Sequence, residues 1–312
     1  MSELTSPVMC DVSVVIPTFR RPHLVGKTIE SVAQQTNCLN LRYEIIVVDN
    51  CPRRSGEEAV RRMIGIHAVP IRYVSEPRQN IALARNAGID CSDAEFIAMI
   101  DDDEQAAPDW LDQLVTTIRK FDADVVMGPT IPVFETEVPS WLKHNDDIFY
   151  RRRKVPTGTL LDRGSTAQVL MRSATCFANN NRFHPELGRA GGSDTDFFMR
   201  LVSRMGLKIV WCNEAKVEEF IPESRLTVRY VLRRKLRNNQ ALVFCSIKYS
   251  DHPIRTAFYQ MFIVGCTQVI IWAAPSLLLA PFRTGYSVRA RANLVKGLGK
   301  VFWNEWFRFN FY

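Results

Sequence analysis

A buried-looking apolar segment, residues 95–100, runs directly into four acidic residues at 101–104. Helix-like segments flank it on both sides, and an apolar run of this length is typical of a central parallel strand. In open α/β sheets, ligands bind beyond the carboxyl ends of such strands. Because four adjacent carboxylates repel one another, the pattern predicts a bound cation, and oxygen ligands favour Mg²⁺ or Mn²⁺. A solvated acidic turn that caps the next helix is the alternative interpretation.

The composition predicts a folded protein rather than a disordered one, since 46% of the 312 residues are hydrophobic and 23% are charged. The formal net charge of +7 suits nucleic acid, a membrane face or an anionic substrate. We expect no nucleic-acid partner, because neither an RNA-binding signature nor zinc-finger spacing accompanies the charge.

The eight cysteines include no C-x-x-C pair. They predict buried thiols in a reducing compartment rather than a disulfide framework. Residues 1–11 lack a basic stretch followed by an apolar core, so no secretory signal is predicted. We therefore expect the catalytic part to stay in the cytoplasm.

Strands and short helices alternate along the first hundred residues. Strands are predicted at 12–16, 43–48 and 69–74, and helices at 22–35, 57–63 and 80–88, the last stopped by Gly88; further along the chain, one strand is predicted at 124–133. This alternation indicates βαβ units and a parallel sheet, with polar turns at 17–20, 49–50 and 101–104 along one edge. These turns carry no dinucleotide-binding or P-loop glycine motif, so a nucleotide held there needs side chains and a metal.

Four motifs occur in order on these strands and turns: VVIPTFRR at 14–21, IVVDN at 46–50, ARNAG at 84–88 and IDDD at 100–103. In this respect the chain resembles the inverting family 2 glycosyltransferases, over roughly residues 12–225. The resemblance implies an α/β fold of the GT-A type, Rossmann-like with a mostly parallel sheet. Residues 1–225 would form this domain, with a nucleotide-binding half at 12–104 and an acceptor half at 105–225.

The same resemblance assigns roles to individual side chains. It implies that Asp49 contacts the nucleotide base, that Asp101 reaches the ribose and that Asp103 binds the divalent metal. Arg85 would lie near the nucleotide, although a helix-surface charge is the plainer interpretation. The polar turns add their own donor-binding candidates, which are Pro17, Thr18, Arg20 and Asp102.

A second candidate centre lies at 183–201. Ser193 and Asp196 fit a helix capping box, which leaves Asp194 free at the first helical position. The preceding glycine pair would let the backbone approach a ligand closely. Here the resemblance implies that Asp194 is the general base, although Ser193 stands where the family commonly has Glu. His184 is interpreted as a packed, hydrogen-bonded residue.

The block at 183–225 looks most like the bacterial exopolysaccharide branch of the family, such as the succinoglycan glucosyltransferases. From 226 to 312 we expect a helical appendage. Its first helix is rich in arginine, and one of these arginines is a candidate for the donor diphosphate. The tail after 282 is basic and aromatic, and a basic run at 151–154 suits phosphate, lipid headgroups or plain solvation.

Residues 256–282 carry no charge and are long enough to cross a bilayer. Basic flanks on both sides favour a membrane-associated hairpin bent near Pro275, because a single crossing would place the basic tail outside. The alternative is a buried core helix.

Together these features predict an inverting, metal-dependent transferase at the cytoplasmic face of the bacterial inner membrane. Its donor would be a UDP-sugar held with Mg²⁺ or Mn²⁺, and its acceptor a lipid-linked saccharide or a polysaccharide of the cell surface. Two alternatives remain open at this point: a metal-dependent sugar nucleotidyltransferase, and a non-catalytic membrane protein that binds nucleotide sugars. The turn after the first strand lacks the glycines that nucleotidyltransferases usually show.

Overall fold

A computed structural model describes residues 10–143, 148–149, 155–250, 252–279, 281–282 and 284–303. The basic run at 151–154 and the last residues of the basic aromatic tail, 304–312, lie outside the described residues.

Strands and helices alternate through the first two thirds of the chain. The strands are β1 (Val12–Thr18), β2 (Tyr43–Asp49), β3 (Ile71–Ser75), β4 (Phe96–Ile100), β5 (Glu104–Ala106), β6 (Val125–Met127), β7 (Thr130–Phe134), β8 (Leu160–Leu161), β9 (Gln168–Arg172), β10 (Ile209–Trp211) and β11 (Val217–Ile221). The helices are α1 (Pro22–Ala33), α2 (Glu57–Met63), α3 (Ile81–Asp90), α4 (Trp110–Lys120), α5 (Ser173–Cys176), α6 (Glu186–Ala190), α7 (Ser193–Ser203), α8 (Val228–Lys248), α9 (Ile254–Leu278) and α10 (Gly285–Val301).

Within the described residues, eight strands form the main sheet in the order β3-β2-β1-β4-β9-β6-β10-β8. Strands β3, β2, β1 and β4 are parallel, and β9 runs antiparallel between β4 and β6. Both faces are covered, since alternate residues of β1 belong to different apolar clusters: Val14 and Ile16 to one, Val15 to the other. A smaller sheet has the order β5-β11-β7.

Parallel pairing brings the ends of the first strands to one edge of the sheet. Thr18 at the end of β1 is in register with Asp49 at the end of β2. Strand β4 ends beside them at Ile100, so the acidic turn 101–104 opens on the same edge. The edge predicted from the alternation of strands and helices is therefore present.

Two predicted boundaries are wrong. Helix α3 does not stop at Gly88 but continues to Asp90, because Gly88 packs on the sheet; a Cβ there would lie 2.3 Å from Val15 Cγ1. The apolar stretch 124–133, expected as one strand, is divided between β6 and β7 in different sheets. Gly128 separates them, where a Cβ would lie 2.1 Å from the carbonyl oxygen of Ala215.

The C-terminal helices form a layer beside the sheet domain. Helix α9 continues through Pro275 to Leu278, so the bend expected near Pro275 is wrong and the chain reverses only after Leu278. Helix α10 then packs against both α8 and α9. Among the described residues, α9 is the one helix long and apolar enough to cross a membrane, with a mean hydropathy of 1.8. Only 11% of an 18-residue window of α9 is buried, so the rest of this chain does not enclose it as a core helix.

Candidate functional site

A cavity of about 460 Å³ opens at the carboxyl ends of β1 and β4, and we call it the β4 cavity. Its wall consists of polar and charged side chains from several elements, together with a few apolar ones. The lining includes Pro17, Thr18, Phe19, Arg21, Asn50, Ile81, Arg85, Asp101, Asp102, Asp103, Glu219, Arg225, Tyr230, Arg234 and Arg237. Of the donor-binding candidates from the sequence, it contains Pro17, Thr18, Arg85, Asp101 and Asp102, along with the metal candidate Asp103.

Arginines neutralise the buried carboxylates of the acidic turn. Arg21 Nη1 donates to Asp102 Oδ1 at 2.9 Å and to Asp103 Oδ2 at 3.0 Å, and Arg225 Nη2 lies 3.0 Å from the same Asp103 oxygen. Thr18 Oγ1 donates to the other oxygen of Asp102 at 2.7 Å. Asp102 therefore organises the turn after β1, whereas Asp103 lies between two guanidinium groups.

Burial and charge act in opposite directions on these groups. Burial raises the pKa of Asp102, Arg21 opposes the rise, and the neighbouring Asp103 adds to it. Burial alone would lower the pKa of Arg21, but Asp102 and Asp103 together raise it. Arg21 thus stays charged and holds the two carboxylates together in one small volume.

The donor set fits a divalent cation only together with substrate oxygens. No cluster of three or more His, Cys, Asp or Glu side chains suited to a metal occurs among the described residues. Asp101 and Asp103 nevertheless line the same cavity. Mg²⁺ is usually held by one or two carboxylates plus substrate phosphates, and this arrangement matches that type of site.

Two of the candidates predicted at this edge do not line the cavity. Asp49 is fully buried, and its carboxylate accepts hydrogen bonds from the backbone N–H groups of Cys51 and Gly56 at 2.9 and 2.7 Å. Its contact with a nucleotide base stays a prediction. Arg20 is exposed with a left-handed backbone (φ 56°), and Arg21 lies in the cavity wall instead.

A second cavity, of about 480 Å³, lies against the start of α7, and we call it the α7 cavity. Asp194 lines it, with Thr166 on the loop before β9 and Arg163 nearby on the same loop. The Asp194 Oδ1 atom accepts the backbone N–H of Thr195 at 2.8 Å, which orients the carboxylate within the first turn of the helix. Asp194 is thus placed to meet a molecule bound in this cavity.

The predicted capping box at the start of α7 is wrong. Gly192, with a left-handed backbone (φ 98°), is the N-cap, and no side chain caps the helix. Ser193 instead accepts a hydrogen bond from Arg85 Nη1 at 3.1 Å. A Cβ on Gly192 would lie 2.6 Å from Ala241 Cβ, so this glycine allows close packing against α8, and Gly192 also lines the α7 cavity.

The two cavities meet at side chains that line both of them: Arg85, Asp101, Arg234 and Arg237. Arg85 is only 8% exposed, and its Nε has no hydrogen-bond partner among the described residues. A buried guanidinium in this position is costly unless an anion neutralises it. Arg85 is therefore not the helix-surface charge of the plainer interpretation. The arginine-rich helix α8 supplies Arg234 and Arg237 to this junction.

A buried cluster lies behind Asp194 and fixes the orientation of α7. Asp196 is fully buried, and its Oδ1 accepts hydrogen bonds from Lys248 Nζ at 2.7 Å and Tyr249 Oη at 2.8 Å. Its Oδ2 accepts Arg200 Nη1 at 2.9 Å, and His184 Nδ1 lies 3.0 Å away. Asp196 therefore ties α7 to the end of α8, and His184 is a hydrogen-bonded neighbour of this cluster.

We expect Asp196→Asn to lower both stability and turnover. Removing one partner of a buried ion pair costs roughly 3 kcal/mol, because the cations left behind lose their counter-charge. Glycines precede α7 and no side chain caps it, so α7 depends on Asp196 to hold its start in place. Without these interactions Asp194 is free to move, and we expect kcat to fall about tenfold. Thermal unfolding and kcat are to be measured.

Asp112→Asn is the matched control for this prediction. Asp112 is a 9% exposed carboxylate that accepts backbone N–H groups and lines neither cavity. Its loss should lower the melting temperature and leave kcat unchanged. Equal kcat losses in the two variants would mean that Asp196 acts through general stability alone.

Sequence reasoning missed several residues of the site. The clearest is Glu219, which is 3% exposed, lines the β4 cavity and accepts Arg225 Nη1 at 3.2 Å. The alternation along β11 was an available signal, because Glu219 falls in the inward-facing set with Val217 and Ile221. Arg21 and Thr166 carried no comparable local signal.

Comparison with known proteins gives three findings. The sequence profile of Glycosyl transferase family 2 matches residues 13–182. The succinoglycan biosynthesis protein ExoM of Rhizobium meliloti (strain 1021) is 32% identical over 229 residues, which are 73% of this chain and 73% of ExoM. The mannosyltransferase PcManGT from Pyrobaculum calidifontis, solved in complex with GDP-Man and Mn²⁺, has a TM-score of 0.63 at 17% identity, covering 96% of this chain and 89% of that one.

A further solved structure, S. aureus TarS 1-349 in complex with UDP-GlcNAc, has a TM-score of 0.54 at 16% identity, covering 93% of this chain and 90% of that one. At these low sequence identities, the structural similarities show the fold alone. They confirm the predicted GT-A architecture, an α/β domain with a large, mostly parallel sheet.

Proposed function

Because the chain belongs to glycosyl transferase family 2, and is accordingly a glycosyltransferase, we propose that it moves a sugar from a UDP-sugar to an acceptor hydroxyl with inversion. Its place in the family decides against the sugar nucleotidyltransferase and against the non-catalytic sugar-binding protein. The proposed acceptor is a lipid-linked saccharide or a growing polysaccharide in cell-surface biosynthesis.

One observation carries this proposal: the β4 cavity and the α7 cavity share a wall. Asp103 belongs to the first, Asp194 to the second, and Asp101 and Arg85 to both. A donor in the β4 cavity and an acceptor in the α7 cavity would therefore meet at the junction. That is the arrangement a direct displacement needs, because the attacking and leaving groups lie on opposite sides of the anomeric carbon.

The residues divide the chemistry between them. Asp194 takes the proton from the acceptor hydroxyl as that oxygen attacks the anomeric carbon. Arg85, Arg234 and Arg237 face the junction. Their positive charges would stabilise the negative charge that develops on the leaving diphosphate. Asp103, with Asp101 beside it, would hold Mg²⁺ or Mn²⁺. When bound, the metal supplies Lewis-acid stabilisation of the leaving phosphate oxygens.

Proteins similar to this chain support the donor and pathway parts of the proposal. ExoM is named for succinoglycan biosynthesis, TarS was solved with UDP-GlcNAc, and PcManGT was solved with GDP-Man and Mn²⁺. The apolar helix α9 and the basic residues around it support a site of action at the cytoplasmic face of the inner membrane. We propose UDP as the nucleotide, as in the UDP-GlcNAc complex of TarS.

The proposal is tested with membranes that contain the full chain, incubated with a panel of radiolabelled UDP- and GDP-sugars. We expect label from one UDP-sugar in the lipid extract, dependent on Mg²⁺ or Mn²⁺ and absent with the Asp194→Asn variant. The anomeric configuration of the product reports inversion. Label from a GDP-sugar alone would overturn the UDP assignment, and a retained configuration would overturn the mechanism.

A further inference from the structure

Helix α9 presents a continuous apolar face to solvent. The side chains of Tyr259, Ile263, Ile270 and Leu277 are 60–76% exposed. At 3.6 residues per turn, these four fall within a sector about 40° wide. A row of exposed apolar side chains on one face marks a surface that another partner or a membrane covers.

The opposite face of α9 is packed against α10 along an antiparallel contact. Gly265 and Gly297 meet backbone to backbone, since a Cβ on Gly265 would lie 3.1 Å from the carbonyl oxygen of Gly297. Beside them, Lys300 Nζ donates to Gln268 Oε1 at 3.0 Å. Ala257 near the start and Ser276 near the end of α9 are also buried.

Helix α10 is in turn fixed to the sheet domain. Val288 is fully buried in an apolar cluster with Trp141 and Leu226. A Cβ on Gly299 would lie 3.0 Å from the carbonyl oxygen of Leu236 in α8. If α9 crossed the bilayer, it would have to separate from α10 or take α10 with it. Helix α10 carries Arg289, Arg291, Lys296 and Lys300, and charges are costly in hydrocarbon.

We propose that α9 lies in the plane of the membrane, with its exposed apolar face inserted into the headgroup boundary of an anionic bilayer and α10 between it and the catalytic domain. Helices in this position insert an apolar face and keep a charged face toward water, and here the basic helix α10 supplies the charged side. The membrane is the favoured occupant because the region 226–312 is strongly basic, with Asp251 and Glu305 as its only acidic residues.

This arrangement deepens the proposed membrane association, on which it rests, and it gives the acceptor a route to the site. Helix α8 belongs to the same layer and lines the α7 cavity with Lys235 and Leu242. A saccharide carried on a lipid would then approach the cavity from the surface on which α9 lies.

Vesicle binding tests which face inserts. The full chain is mixed with vesicles of phosphatidylcholine and phosphatidylglycerol, and the bound fraction is measured by flotation. We expect Ile263→Asp and Ile270→Asp each to weaken binding by about tenfold or more, because a carboxylate is then forced into the apolar boundary. The control Ile66→Asp changes an equally exposed isoleucine, 66% exposed, outside the helical layer and should bind like wild type.

Labelling from each side of the membrane separates an in-plane helix from a spanning one. Single cysteines replace Ile254 and Phe282 at the two ends of the apolar segment, in a background where Cys10, Cys38, Cys91 and Cys266 are serine. In inverted membrane vesicles, a membrane-impermeant maleimide should label both positions, and in right-side-out vesicles neither. Labelling of one end in each preparation means that α9 spans, which overturns the proposal.

Absence of vesicle binding by the wild-type chain would also overturn it. Transfer to a soluble saccharide acceptor, measured in parallel, reports whether the proposed glycosyltransferase reaction stands on its own. Transfer to the soluble acceptor without vesicle binding would contradict the in-plane position of α9 alone, whereas loss of transfer would contradict the proposed function.

Discussion

Asp194→Asn is expected to reduce transfer by a factor on the order of 10³, because an amide cannot take the proton of the acceptor hydroxyl. Affinity for UDP should stay at the wild-type value, since Asp194 lines the α7 cavity and not the β4 cavity. The loss should therefore appear in kcat. Initial rates with a saturating labelled donor, together with calorimetric titration of UDP, measure both quantities.

The control for this variant is Asp162→Asn, which neutralises an exposed carboxylate on the loop that leads to the α7 cavity. It should transfer at close to the wild-type rate. If Asp194→Asn itself kept that rate, the base would have to be another group. Asp196 is a poor substitute because its carboxylate is fully buried between Lys248 and Arg200. Glu186 is exposed and lines neither cavity.

Asp103→Asn should lower transfer by a factor on the order of 10³, the effect of several kcal/mol of lost metal stabilisation in the transition state. We also expect Mn²⁺ to raise the UDP affinity of the wild-type chain but not that of this variant, because the proposed metal ligand is gone. Titrations of UDP with and without Mn²⁺ measure this second effect independently of turnover.

Arg225→Gln should strengthen metal binding at Asp103, the opposite of the effect expected for Asp103→Asn. Arg225 lies 3.0 Å from Asp103 Oδ2, so its removal leaves Asp103 with less positive charge around it. We expect Mn²⁺ to bind this variant more tightly than wild type in the absence of nucleotide. If the Asp103→Asn variant still bound UDP more tightly with Mn²⁺, the proposed metal ligand would be wrong.

Much of the fold could be predicted because it depends on local patterns. Apolar runs indicate buried strands, and the carboxyl ends of parallel strands lie at the same edge of the sheet. Thr18 ends β1, and Asp101, Asp102 and Asp103 follow β4, so their position could be predicted from strand order alone. Where a boundary failed, as at Gly88, the cause was packing of the glycine against a distant strand.

Interactions between distant segments could not be predicted in the same way. Ser193 and Asp196 have the spacing of a capping box, but Ser193 pairs with Arg85 and Asp196 with Lys248. Arg85 and Lys248 are far away in sequence. They replace the backbone N–H groups of the first helical turn as hydrogen-bond donors, because a charged donor binds more strongly than a backbone N–H. Arg20 and Arg21 are likewise equivalent as residues, and only the left-handed backbone at Arg20 decides which one faces the cavity.

The class of sheet, the edge that carries the acidic turn and the apolar length of α9 could all be predicted from the amino-acid sequence, since each depends on residues near one another in the chain. The tertiary structure alone decided that two cavities share a wall at Arg85, that Arg225 lies against Asp103, and that α9 keeps one face free while α10 covers the other. Those facts depend on which surfaces meet after folding, and charge pairing between remote segments leaves no periodic trace in a sequence.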